Sequence, residues 1–132
     1  MNKPIVISCI GILCLFFTFS AFSQETGLAS YYHNGLTGSK MSNGERYDPE
    51  GLTCAHLTAP LGSLIKIARK DNPDFSVIVT VTDRGPHVKG RIIDLSRRAA
   101  RELGIIERGI SEVVIALITK PDSACVPLVT SN

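Results

Sequence analysis

Four short polar clusters carry the groups of this chain that could do chemistry: Asn43-Gly44-Glu45, Thr53-Cys54-Ala55-His56, Thr82-Asp83-Arg84-Gly85-Pro86 and Asp94-Leu95-Ser96. Glu45 and Asp83 supply carboxyl groups of the kind that carry protons in general acid–base catalysis. His56 supplies an imidazole that can orient or polarise a substrate. Each cluster also has a structural explanation. Asn-Gly is a tight-turn dipeptide that would leave Glu45 solvated, and His56 could simply cap a helical turn. Asp83-Arg84 could be an ion-paired turn, and Asp94 could accept backbone donors. Cys54 lies two residues before His56, but sequence neighbours rarely have the geometry of a nucleophile and its base. Three histidines, His33, His56 and His87, without His-x-x-Glu-His or His-x-His spacing, give no metal-site pattern. No metal or cofactor is expected.

The elements that must position these groups are short. Residues 27–32 read as a first strand, followed by a polar, glycine-bearing loop from His33 to Gly44, a natural place for binding chemistry. Asp48-Pro49 has the form of a helix cap with proline at the first helical position, which predicts a helical turn through Leu52, Thr53 and Ala55 with His56 at its end. Residues 63–69 and 75–82 are strand-like and joined by Asp71-Asn72-Pro73-Asp74 as a hairpin connection. Val77, Val79 and Val81 share one face of the second of these strands. Asp83 continues that face, so its carboxylate is expected at the edge of an apolar interior, needing a partner or a raised pKa. Another strand covers 90–94, Ser96 caps a helix over 97–103 that Gly104 stops, and a last strand covers 112–118. Five or six short strands with one helix and one helical turn avoid exposed edges best by closing into a barrel.

The chain has 132 residues, enough for one compact domain. Its hydrophobic excess is concentrated at the start: Ile5 to Phe19 is almost unbroken apolar sequence, preceded by Lys3 and followed by Ser20-Ala21-Phe22-Ser23. This pattern predicts a signal peptide over 1–23, cut after Ser23. The apolar run falls short of the ~20 residues of a membrane-spanning helix, which disfavours an uncleaved anchor. Export to the periplasm or cell envelope is expected. It would permit, without requiring, a disulfide between Cys54 and Cys125. Without Lys3, 13 basic residues face 12 acidic ones, a balance that excludes nucleic acid as a partner on charge grounds.

The clusters become specific in combination. The order G-x-A-S-x-Y, N-G-E-x-Y, T-x-A-H-x-x-x-P-x-G, V-x-[VI]-x-D-R-G-P and G-R-I-I-D-L-S, with A-A and L-G following, resembles the rare lipoprotein A family of bacterial envelope proteins. The matching stretches are Gly27 to Tyr32, Asn43 to Tyr47, Thr53 to Gly62, Val79 to Pro86 and Gly90 to Gly104. They run in order across nearly all of the expected mature domain, 24–118, with a tail over 119–132. The resemblance implies a mainly β fold, a six-stranded double-psi β-barrel with one or two short helices. It also implies lytic transglycosylase activity on the glycan backbone of peptidoglycan, with preference for strands stripped of stem peptides. Glu45 and His56 match the family's catalytic Glu and His, and Asp83 its barrel Asp.

A lytic transglycosylase protonates the leaving glycosidic oxygen and replaces the attacking water with the sugar's own 6-hydroxyl, giving a 1,6-anhydro product. One carboxyl group can act first as acid and then as base, so paired carboxylates are not obligatory. Asp83, ending an apolar face, suits a raised pKa better; Glu45 suits the family match better. Both remain open as acid/base, with His56 orienting substrate on the same groove. Tyr31, Tyr32, Tyr47, Arg84 and Asp94 are the candidate substrate contacts. The alternative is a non-catalytic, expansin-like module that binds glycan. Tyr31 stands where the family commonly has Trp, and Cys54 where it commonly has Ala. A lipid-attachment cysteine and a C-terminal repeat domain are not found in this sequence, so no lipid anchor is expected, septal recruitment is doubtful, and a monomer is expected.

Overall fold

The computed structural model describes residues 24–119. The signal expected over 1–23, the tail beyond Thr119, and Cys125 with its proposed pairing all lie outside the described residues. Six strands close into one barrel: β1 (Glu25–Tyr31), β2 (Thr53–His56), β3 (Leu64–Arg69), β4 (Ser76–Asp83), β5 (Arg91–Leu95) and β6 (Ser111–Thr119), in the order β1-β5-β2-β4-β3-β6. The pairs β1–β5 and β2–β4 are parallel and the other four antiparallel. A 3-10 turn over Asn34–Leu36 and one helix, α1 (Arg97–Leu103), complete the fold. This is the mainly β, six-stranded double-psi barrel that the motifs imply.

Alternation explains most of it. In β4, Val77, Val79 and Val81 are buried while Ile78 faces out. In β3, Ile65 and Ile67 are buried and Lys66 is exposed, and β6 adds Val113 and Ile115. β-branched residues fit this pleated, half-buried surface. The same interior receives Ala99, Ala100 and Leu103 from α1 and then Ile105, all fully buried. Burying each large aliphatic side chain contributes ~1.5–3 kcal/mol, so barrel and helix share one core. Ser96 caps α1 by accepting from the Ala99 N–H, and Gly104 ends it in a left-handed conformation at φ 75°. At that φ a side chain would be strained, and a Cβ would also lie 3.0 Å from Arg69 Nη1.

The helical turn expected through residues 48–56 is not formed. Asp48 does cap, through Oδ1 accepting from the Glu50 N–H at 2.9 Å and its carbonyl accepting from the Gly51 N–H at 3.1 Å. That single turn ends at once, and Thr53–His56 runs as β2 between β4 and β5. Four residues have too little periodicity to declare a strand. Pairing partners on both sides decide it, with Cys54 opposite Val81 and Leu95.

Candidate active site

One irregularity in the barrel places the central carboxylate. Cys54 pairs with Val81, but Ala55 pairs with Asp83, so β4 carries an extra residue between them. The bulge breaks the alternation that would have kept Asp83 on the valine face. Asp83 is half-buried and accepts four hydrogen bonds: from Tyr32 Oη at 2.6 Å, the Ser42 N–H at 2.9 Å, Ser42 Oγ at 2.6 Å and the Arg84 N–H at 2.9 Å. Burial pushes the carboxyl's pKa up, but the donors from Ser42, Tyr32 and Arg84 outweigh it and leave the pKa below the ordinary aspartate value. Of the two outcomes expected for Asp83, a partner or a raised pKa, the structure shows the partner and not the raised pKa. Asp83 has found partners for its charge and is a carboxylate at neutral pH.

Those partners also hold Glu45. Ser42 is tied to Asp83, the Asn43 N–H donates to the Thr82 carbonyl at 3.1 Å, and the Arg84 N–H donates to Ser42 Oγ at 3.2 Å. The turn then closes on itself: Asn43 Oδ1 accepts from the Glu45 N–H, the Gly44 N–H donates to the Met41 carbonyl, and Lys40 bridges Arg46. Gly44 sits at φ 90°, a conformation that favours glycine. Glu45 thus sits on a rigid loop fastened to the end of β4, with its side chain exposed. Sequence reasoning missed Ser42; a serine directly before Asn-Gly was the available signal.

A cavity of about 160 Å³ opens beside this network, lined by Tyr32, Leu36, Ser39, Lys40, Met41, Tyr47 and Asp83. The rings of Tyr32 and Tyr47 meet edge to face, 4.7 Å between centroids. Burial, reinforced by the Asp83 charge, pushes the Tyr32 phenol far up. Tyr47 is buried and its oxygen accepts from the Arg97 N–H at the start of α1. Tyr31 is not on this cavity. Its hydroxyl donates to the Ile106 carbonyl at 2.8 Å and its ring packs against the core. Asp94 stands in register with Ala55, which pairs with Asp83 on its other side, and Asp94 is ion-paired with Arg91.

His56 belongs to a second cavity, of about 310 Å³, whose lining includes Glu25, Thr58, Pro60, Ile65, Ile115 and Leu117. Its Nδ1 accepts from the Thr58 and Ala59 N–H groups and its Nε2 faces Glu25 Oε2 at 3.3 Å. Arg84 joins the two cavities. Its backbone N–H meets Asp83 and Ser42, and its guanidinium Nη1 donates to the carbonyls of His56 and Ala59. The structure therefore fastens the loop that carries Glu45 to Asp83 through Ser42 and places His56 on the far side of Arg84. Cys54 is fully buried and its thiol is pushed up by that burial, which makes it inert.

A closed six-stranded barrel with two parallel pairs, and a bonded carboxylate where the β4 bulge meets a tethered loop, defines a double-psi β-barrel protein with a polar surface site. A family model described as "Lytic transglycolase" matches residues 24–115, and the chain belongs to that family. Similar proteins include the "Endolytic peptidoglycan transglycosylase RlpA" of Pasteurella multocida, 48% identical over 99 residues, or 75% of this chain and 33% of that protein. The protein of the same description from Vibrio cholerae is 45% identical over 95 residues, 72% of this chain and 36% of its own. The chain thus spans about a third of the length of these relatives. Among solved structures, "Streptomyces papain inhibitor (SPI)" is similar with a TM-score of 0.58 at 21% identity, covering 74% of this chain and 96% of that one. The apo expansin of Clavibacter michiganensis reaches 0.57 at 23% identity, covering 75% of this chain and 52% of that one. At these identities the likeness is one of fold.

Proposed function

We propose that this protein is an endolytic peptidoglycan lytic transglycosylase. It cleaves the MurNAc–GlcNAc backbone, preferring strands without stem peptides, and leaves a 1,6-anhydro end. The observation that carries the reading is the fastening of the Glu45 turn to a carboxylate that is already charged. Asp83 has its oxygens occupied by four donors and a lowered pKa, so it is poorly suited to give up a proton. Glu45, exposed on the same loop, is the carboxyl left to reach a glycosidic oxygen.

In this mechanism Glu45 donates its proton to the leaving GlcNAc oxygen as the bond from MurNAc C1 breaks. The fixed charge of Asp83 stabilises the positive charge that develops on the ring. The MurNAc 6-hydroxyl then closes on C1, and its proton returns to the Glu45 carboxylate, which restores the enzyme. Tyr32, Tyr47 and Asp94 flank the strand, Arg84 holds the turn after His56, and His56 orients substrate from the second cavity. Glu45 and Asp83 come from one chain, so the reaction needs no second copy. An extracytoplasmic site of action follows from the substrate.

Peptide-free glycan strands incubated with purified protein, with products identified by mass spectrometry, test the proposal. Anhydro-ended fragments are expected from the wild type. Glu45→Gln should lower their rate roughly 100- to 10,000-fold, the usual contribution of a positioned acid. Reducing ends in place of anhydro ends would mean hydrolysis, and binding without cleavage would mean an expansin-like module. Undiminished release by Glu45→Gln would remove Glu45 from the mechanism.

A further inference from the structure

The imidazole of His56 has both nitrogens engaged. Nδ1 accepts from two backbone N–H groups, Thr58 at 3.2 Å and Ala59 at 3.0 Å. A nitrogen receiving two N–H donors carries its lone pair there, so the ring hydrogen is on Nε2. That N–H points at Glu25 Oε2, 3.3 Å away. The His56 side chain is 10% exposed, whereas the Glu25 side chain is 51% exposed. Most of the remaining cavity wall is apolar, contributed by Pro60, Ile65, Ile115 and Leu117. Among the described residues, Glu25 is the side-chain acceptor for this buried donor.

We propose that Glu25 is the positioning residue of His56, aiming its Nε2–H into the second cavity. Glu25 opens β1, 31 positions before His56, and precedes every motif stretch that marks the family. The inference rests on the function proposed above, because it assumes that His56 works on substrate. With its Nδ1 lone pair held by the chain's own backbone, His56 presents its Nε2–H as a hydrogen-bond donor. Glu25 keeps that donor paired and directed until a polar group of the glycan, a hydroxyl or an acetamido oxygen, takes its place. The contact is longer than the usual 2.7–2.9 Å of a charged N–H···O pair, which suits a partner that is to be exchanged.

Nitrogen-15 NMR of the His56 ring, assigned by comparison with His56→Gln, tests the proposal without reference to activity; kinetics on peptide-free glycan strands tests its consequence. The wild type should show Nε2 protonated and slowly exchanging, with Nδ1 bare. In Glu25→Ala the Nε2 proton should exchange more than about tenfold faster, and kcat should fall about 10- to 100-fold, the scale of one hydrogen bond to a charged group, with KM within about twofold. Glu25→Gln, whose amide oxygen still accepts, should recover ring order and most of kcat. Should alanine not fold, Glu25→Thr, too short to reach the ring, replaces it. A wild-type ring protonated on Nδ1 overturns the proposal. So does an alanine variant with wild-type exchange and kcat, one that moves KM alone, or a glutamine variant no better than alanine. Wild-type protein that releases no anhydro sugar refutes the enzymatic reading instead, and the ring spectrum still decides whether Glu25 aims His56.

Discussion

Replacing Tyr32 by phenylalanine removes one hydroxyl and leaves the ring that meets Tyr47 edge to face. That hydroxyl donates at 2.6 Å to Asp83. Hydrogen bonds to charged groups contribute ~1.5–3 kcal/mol, and Asp83 is only half-buried, so a loss of about 1.5 kcal/mol at pH 7 is expected. For a domain of this size that lowers Tm by roughly 6–12 °C. The pH dependence is the sharper test. The folded-state pKa of Asp83 is depressed, so its stabilisation is fully present above the unfolded value, near ~3.9, and is lost as pH falls through the folded value. Phenylalanine removes part of that depression. The stability difference between wild type and variant should hold from pH 7 to about pH 5 and then shrink towards pH 2.5, as Asp83 takes up a proton in both. Urea denaturation of the two proteins across this range measures it, and carboxylates common to both cancel. A difference that stays constant from pH 7 to pH 2.5 would refute the idea that Tyr32 serves the charged form of Asp83.

Gly44→Ala forces a side chain to φ 90°, with nothing within 4 Å of the new Cβ. The cost should be pure backbone strain, about 1–2 kcal/mol in chemical denaturation, and because the strain falls beside Glu45, glycan cleavage should drop further than stability. Ser96→Ala removes the α1 cap and leaves the Gly51 carbonyl, now receiving its hydroxyl at 2.6 Å, without that donor. A loss of about 2–3 kcal/mol is expected by the same measurement, and a loss under about 0.5 kcal/mol would count against the double role of the hydroxyl. Cys54 should resist alkylation in the folded protein and react once denatured and reduced, read by mass mapping of its peptide, because the thiol is fully buried and its pKa is pushed up.

Five of the six strands, β1, β3, β4, β5 and β6, were legible in the sequence; β3, β6 and most of β4 declare themselves by burying alternate residues, and α1 announced both ends through Ser96 and Gly104. β2 was illegible because Thr53–His56 takes its conformation from β4 and β5, not from its own pattern. The same cause hid the state of Asp83. Extending the valine alternation by one step predicts an apolar edge and a raised pKa, but the bulge opposite Ala55 turns the carboxylate towards Ser42 and Tyr32. Long-range register, invisible locally, reverses the electrostatics. Glu25 was equally hidden, since its approach to His56 is made by barrel closure across 31 positions.

The scarcity of aromatic residues takes on a definite meaning in the fold. Among the described residues the tyrosines are Tyr31, Tyr32 and Tyr47, and each hydroxyl is engaged by the protein itself: with the Ile106 carbonyl, with Asp83 and with the Arg97 N–H. The Tyr47 hydroxyl only accepts from the Arg97 N–H, so its own hydrogen can still be donated into the cavity it lines, whereas Tyr31 packs against the core. The three tyrosines are therefore structural ties first: one anchors the loop after α1, one holds the charge of Asp83, and one joins the Glu45 loop to the helix start. On the proposed function, recognition of a glycan strand draws on the loop that Ser42 fastens, on the carboxylates and the Tyr47 hydroxyl, and on the Nε2–H of His56. A surface of that kind grips weakly but holds its charged groups in fixed places, and stabilising a transition state more than its substrate requires the second property more than the first.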